Sequence, residues 1–220
     1  MQVDYTPKKI DDIVFNTSEA RLRLDEILSG NKPFPVAGKN GILIYGVWGT
    51  GKTTLALMLP ELLEAVKTGG GGLNVSPTFI RCTRGANGIT MINNVCNTAL
   101  FNSANSSGLH YFIIDEVNLL TELAQESLKT AMNMPGTVFV MTTNRLDQID
   151  RGIINRSILI EMNAAQHSQW LPFARKVMQS EGISGISDAQ LTAVIAGCAG
   201  SGRNITDALL SVAARVKMAA

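Results

Sequence analysis

The chain has 220 residues, 45% of them hydrophobic, and a formal net charge of +1. That is enough apolar material for one large domain, or for one large and one small, and the near-neutral balance excludes a histone-like or polybasic protein. Aromatic residues make up 5%, too few for long base-stacking platforms, and Cys82, Cys96 and Cys198 are spaced too widely for a disulfide framework or a zinc pair. No run approaches the roughly 18 apolar residues of a membrane helix. With Asp4, Asp11 and Asp12 near its start, the amino terminus also lacks a signal-peptide profile. Buried thiols in a reducing, cytoplasmic setting with no membrane contact are therefore expected.

In chain order, residues 16–29 read as a helix, with Asn16 and Glu19 at capping-box spacing and Gly30 as the stop. A strand over 41–46 runs into Gly46-Val-Trp-Gly-Thr-Gly51-Lys52-Thr53-Thr54. Leu55, Leu57, Met58, Leu59 and Leu62 then carry helical spacing. The run Gly69 to Gly72 marks a loop, and a second strand covers 78–82. Ile92, Val95, Cys96, Ala99 and Leu100 share one helical face; residues 102–108 read as a surface loop; 110–115 is a third strand. Leu120, Leu123, Ser127, Leu128 and Ala131 form another helical face before strands at 137–142 and 157–161. Near residue 163 the strands cease. Residues 166–180, 188–198 and 202–217 read as helices, with Pro172 either kinking the first or marking its true start. The predicted fold is α/β, a five-stranded mostly parallel sheet with flanking helices over 1–163, followed by a small all-α lid over 164–220.

The chemistry begins at the glycine-rich loop. A strand feeding Gly46, Gly49, Thr50 and Gly51 and opening a helix at Lys52, Thr53 and Thr54 is the pattern of a triphosphate cradle. Lys52 suits the β- and γ-phosphates, and the Thr53 hydroxyl suits Mg²⁺. ATP and Mg²⁺ are the expected ligands. Asp115 and Glu116 end an apolar strand, and ligands of open α/β sheets sit outside such ends. Asp115 is thus the second metal residue, and Glu116 the base that polarises water. Asn144, at the end of the next strand, can orient the same water.

The order of these motifs, followed by Asn155-Arg156-Ser157 before the last strand and Gly202-Arg203 opening the last helix, resembles the P-loop AAA+ ATPases. Within them it resembles the clamp-loader subunits of DNA replication. The segment from Asp4 to Val14, with Tyr5, Pro7 and Val14, is similar to the amino-terminal adenine-pocket segment of replication factor C small subunits. Ser127-Leu-Lys-Thr130 with Pro135 is similar to a stretch of bacterial clamp-loader subunits. The resemblance implies that Asn144 is the sensor-I residue and Arg203 the sensor-II arginine on the lid. It also implies that Arg156 reaches the γ-phosphate of a neighbouring subunit, with Ser157 in place of the family's cysteine. Arg151, five residues earlier, is a competing finger. Clamp loaders carry a third, helical collar domain, and the resemblance here runs through the lid without it.

The implied activity is ATP hydrolysis by an oligomeric loader or switch, partnered by neighbouring AAA+ subunits and by DNA or a DNA-bound protein. The alternatives are a protein-remodelling motor and an ATP-dependent filament or ring acting as a scaffold. Threading motors place an aromatic residue before glycine in the loop after the second strand. Here that loop reads Cys82-Thr-Arg84-Gly-Ala-Asn-Gly88, and Arg84 suits a phosphate backbone better than a threaded peptide.

Overall fold

Five strands, β1 (Gly41–Tyr45), β2 (Thr78–Arg81), β3 (His110–Asp115), β4 (Thr137–Thr143) and β5 (Ser157–Glu161), form one parallel sheet in the order β2-β3-β4-β1-β5. They belong to a computed structural model that describes residues 4–70 and 75–219; Gly71 and Gly72 of the predicted glycine loop lie outside the described residues. Nearly every residue of β1, β3 and β4 is buried, as expected of strands covered on both faces. The covering helices are α1 (Ser18–Leu28), α2 (Lys52–Thr68), α3 (Gly88–Ala99), α4 (Glu122–Ala131) and α5 (Arg151–Asn155).

Alternation along the strands divides the core. Ile42 and Ile44 of β1 point to one face with Leu24, Ile27, Leu55 and Leu59 from α1 and α2. Leu43 points to the other, with Phe112, Phe139, Ile92 and Leu128. After β5 come α6 (Leu171–Ser180), α7 (Asp188–Ala196) and α8 (Gly202–Ala219), which bury a third apolar cluster around Trp170, Val177, Ile195, Ile205 and Leu209. Tyr5 and Val14 of the amino-terminal segment pack against that third cluster. Among the described residues, no helix is long and apolar enough to cross a membrane.

Local details depart from the sequence expectations in three places. Thr17, not Asn16, caps α1: its Oγ1 accepts from the Ala20 N–H at 3.2 Å, while Asn16 Nδ2 donates to Glu161 on β5. Leu123 is 65% exposed, since Ala124, Leu128 and Ala131 make the buried stripe of α4. Leu100 is 75% exposed: it caps α3 just beyond the last helical residue, Ala99, and stands beside the equally exposed Phe101. Pro172 lies in the first turn of α6, where a missing N–H costs nothing, so the helix starts there without a kink and is preceded by a tight turn over His167–Trp170.

The predicted surface loop before β3 is tied to the core by a buried carboxylate. Glu64 of α2 accepts from the Ser107 N–H at 2.8 Å, from the Ser107 hydroxyl and from the Tyr111 hydroxyl at 2.8 Å. Burial works to raise its pKa, but the Ser107 and Tyr111 donors outweigh burial and hold it below the ordinary glutamate value. A carboxyl depressed in the folded state contributes stability that is complete above the unfolded value of about 4.3 and is lost as pH falls through the folded one. Glu64→Gln should therefore lower stability by about 1–3 kcal/mol at neutral pH and shrink the acid-side loss of Tm, measured by thermal melts across the acid range.

Candidate nucleotide site

Parallel strands place their carboxyl ends along one edge, and the register decides which side chains meet there. Arg81 of β2 lies opposite Asp115 of β3, and Ile114 lies opposite Met141, which sets Thr142 beside Asp115. Tyr45, the last residue of β1, lies opposite both Thr143 and Glu161. The loop that follows Tyr45 therefore emerges between β4 and β5, with β3 one strand further along.

Asp115 is 2% exposed, and three donors hold its carboxylate. Its Oδ1 accepts from the Thr53 hydroxyl at 2.8 Å and the Thr142 hydroxyl at 2.7 Å. Its Oδ2 accepts from Arg81 Nε at 3.3 Å. Thr142 serves twice, because its oxygen also accepts from the Glu116 N–H at 3.0 Å. Glu116 itself is in the left-handed region with φ of 59°, an uncommon setting for a residue with a side chain, so the chain turns sharply after Asp115 and leaves the Glu116 side chain half-buried at the cavity wall.

The loop is clamped from several sides. The Val47 N–H donates to Asn163 Oδ1 at 3.2 Å, and the Val47 carbonyl accepts from Thr50 Oγ1 at 3.0 Å and from Lys52 Nζ at 2.6 Å. The Gly49 carbonyl accepts from the N–H of Gly202 at the start of α8 at 2.9 Å, so the loop touches the helical region directly. A Cβ on Gly49 would come within 2.2 Å of Ser201 Oγ. Burial pushes the Lys52 ammonium down to about 8, against the upward pull of Asp115 and Glu116; an anionic phosphate beside it would restore the charged form.

These groups line a cavity of about 760 Å³. Lys52, Thr53, Asp115, Glu116 and Asn144 line it, with Thr50, Gly49, Gly51 and Thr54 contributed by the loop and helix start. Tyr5, Pro7 and Val14 form a further part of the wall, and Arg203 lines it from α8. The wall is fastened to the helical region by Tyr5 to Glu181 at 2.7 Å and by the pair Lys176–Asp12 at 3.3 Å. Gly46 does not line the cavity. A Cβ there would lie 2.2 Å from the Met162 carbonyl oxygen, so its bareness lets the ends of β1 and β5 converge. Arg156 is also elsewhere: Nε donates to Asn133 at 3.1 Å and one Nη to the Gly152 carbonyl at 3.1 Å. Arg151 is exposed at the start of α5.

The donor set suits a hard cation. Among the described residues no three histidine, cysteine or acidic side chains converge on a metal position. Thr53 and Asp115 supply oxygens only, which fits Mg²⁺, an ion that keeps most of its shell as water and phosphate oxygen.

Residues 42–163, from β1 through the end of β5, match the family described as ATPase family associated with various cellular activities (AAA). The chain belongs to the AAA family. It is 30% identical over 219 residues to replication factor C small subunit 2 of Pyrobaculum islandicum, an alignment that covers 97% of this chain and 63% of the relative. Replication factor C small subunit 1 of Pyrobaculum arsenaticum is 31% identical over 191 residues, covering 84% and 53%. The chain thus spans less than two thirds of the length of these relatives. By structure it is similar to RuvB of Thermotoga maritima, with a TM-score of 0.66 at 16% identity over 92% of this chain and 63% of that one. A DNA polymerase III gamma subunit-related protein from the same organism gives 0.55 at 16% identity, covering 87% and 57%. Both likenesses carry the AAA fold.

Four side chains at this AAA site escaped the sequence reading. Arg81 and Thr142 meet Asp115 only through the register of neighbouring strands, a signal available once β2, β3 and β4 are aligned on their apolar runs. Trp48, 72% exposed at the loop apex, borders the cavity, and Trp170 lines it from the helical region.

Proposed function

We propose that this AAA chain binds ATP with Mg²⁺ in the cavity described and hydrolyses it as one subunit of an oligomeric loader or switch in DNA replication, acting in the cytoplasm. The observation that carries this reading is the buried Asp115 carboxylate, bonded to the Thr53 hydroxyl beside Lys52, in a cavity walled by the amino-terminal segment and α8. Thr53 and Asp115 would hold Mg²⁺, which offsets phosphate charge when bound. Lys52 adds a fixed cation at the phosphates, and Asn144 positions water for attack on the γ-phosphorus. Glu116 accepts the water proton as that attack proceeds. Arg203 contributes a further cation from the lid, which we take to be residues 164–220, moving against the α/β domain of residues 1–163. Arg156 points away from its own cavity to a task on the next subunit.

Clamp-loader-like work is favoured by the replication factor C resemblance over most of the chain, and by the loop after β2. That loop presents the exposed Arg84 and no aromatic side chain, as expected for contact with a nucleic-acid backbone.

Both tryptophans of the chain border the cavity, so intrinsic fluorescence should titrate with ATP and Mg²⁺. In Lys52→Ala the midpoint should rise about 100-fold or more. A wild-type protein whose emission and calorimetric titration are both flat would overturn nucleotide binding. Particle mass with a non-hydrolysable analogue, with and without primed DNA, tests the loader. An assembly strengthened by both supports it, whereas a closed ring indifferent to DNA points to a remodelling motor.

A further inference from the structure

Asp115 is a buried anion and needs a countercharge; leaving such a group unpaired is costly. Lys52 does not supply the contact, because its Nζ is committed to the Val47 carbonyl at 2.6 Å. Among the described residues the ion-pair partner of Asp115 is Arg81, at the end of the edge strand β2, with side-chain exposures of 62% for the arginine and 3% for the aspartate. At 3.3 Å this contact is long beside the usual 2.7–2.9 Å of charge-assisted bonds. The Arg81 guanidinium has a second seat, its Cζ lying 5.9 Å from the centroid of the half-exposed Phe79 ring two residues earlier on the strand. It also borders a second cavity of about 670 Å³ shared with Trp48, Glu116, Asn144 and Arg203. A loosely bound, well-solvated cation therefore rests on the carboxylate that the nucleotide reading assigns to the metal.

We infer that Arg81 is a positioning residue that occupies the outer oxygen of Asp115 and competes with the divalent cation for it, forming a latch within the same subunit that metal binding displaces. The inference rests on the Mg²⁺ and ATP reading of the site. Two cations on one carboxylate repel, so metal arrival pushes the guanidinium off the outer oxygen of Asp115, leaving it beside Phe79 and facing the shared cavity. The latch sets how much Mg²⁺ the site demands, and it orients Asp115 before the cation enters.

The test is a Mg²⁺ titration, read by tryptophan fluorescence on protein saturated with a non-hydrolysable ATP analogue, together with thermal melts in chelator and in excess Mg²⁺. Arg81→Gln should lower the Mg²⁺ midpoint about five- to ten-fold, and it should melt below wild type in chelator but not in excess Mg²⁺. Arg81→Lys keeps the charge and loses the planar fork, so its midpoint should fall about two-fold; it carries the test if the glutamine variant does not fold. A midpoint that is unchanged or raised in the folded variants overturns the latch. If the wild type binds the analogue while the midpoints coincide, the latch alone falls. If the wild type binds no analogue at any Mg²⁺ concentration, the nucleotide reading falls with it.

Discussion

Replacing Arg156 by alanine is expected to leave ATP binding within about two-fold of wild type and to cut turnover by about 10³–10⁵-fold, the range of an arginine supplied across an interface. The arginine lies outside the cavity that holds Lys52, Asp115 and Glu116, so a direct contact with reacting phosphate would have to be made in another copy's cavity. Its bonds to Asn133 and Gly152 hold the guanidinium at the end of α5, where an ordered side chain gives up less entropy on meeting a phosphate. Mixing supplies the decisive measurement. Arg156→Ala subunits keep a sound cavity, and Lys52→Ala subunits keep a sound finger, so a mixture of two inactive proteins should recover activity. Recovery that fails in the mixture while assembly is intact would remove the role in trans. Arg151→Ala is the companion variant: if it, and not Arg156→Ala, abolishes turnover, the finger lies at the first residue of α5.

The parts legible in the sequence were those whose physics is local. Apolar runs such as Gly41–Tyr45 and His110–Asp115 mark buried strands, and a glycine loop opening a helix at Lys52 announces itself within nine residues. Where spatial neighbours come from distant segments, the sequence reading went astray or stayed silent. Asn16 reads as the cap of α1, but Thr17 takes that place and the Asn16 amide donates instead to Glu161 on β5. Gly46 reads as part of the cradle, yet its constraint comes from Met162, more than a hundred positions later. The bond from Gly202 to Gly49 joins the helical region to the loop with no mark in either local pattern. Arg81 drew no comment as a sequence position, and only the register of β2 on β3 sets it across from Asp115.

Glu116→Gln is expected to retain ATP and Mg²⁺ while turnover falls by about 10²–10⁴-fold, the usual worth of a positioned general base. The two adjacent acids are divided by their surroundings. Asp115 is buried and accepts from Thr53, Thr142 and Arg81, so both its oxygens are already engaged. Glu116 is half-buried, and its carboxylate has no hydrogen-bond partner among the described residues, which leaves it free to take a proton from water. Its position is set by the backbone: φ of 59° and the bond from its N–H to Thr142 fix where the side chain departs, and both survive the change to glutamine. The variant keeps shape and loses basicity. If hydrolysis is what releases the assembly, Glu116→Gln with ATP should stay in the large particle over times in which wild type returns to its starting size, as followed by light scattering after ATP is added. Hydrolysis at the wild-type rate would move the base elsewhere. Slow hydrolysis with normal disassembly would leave the base in place and separate the assembly cycle from γ-phosphate cleavage.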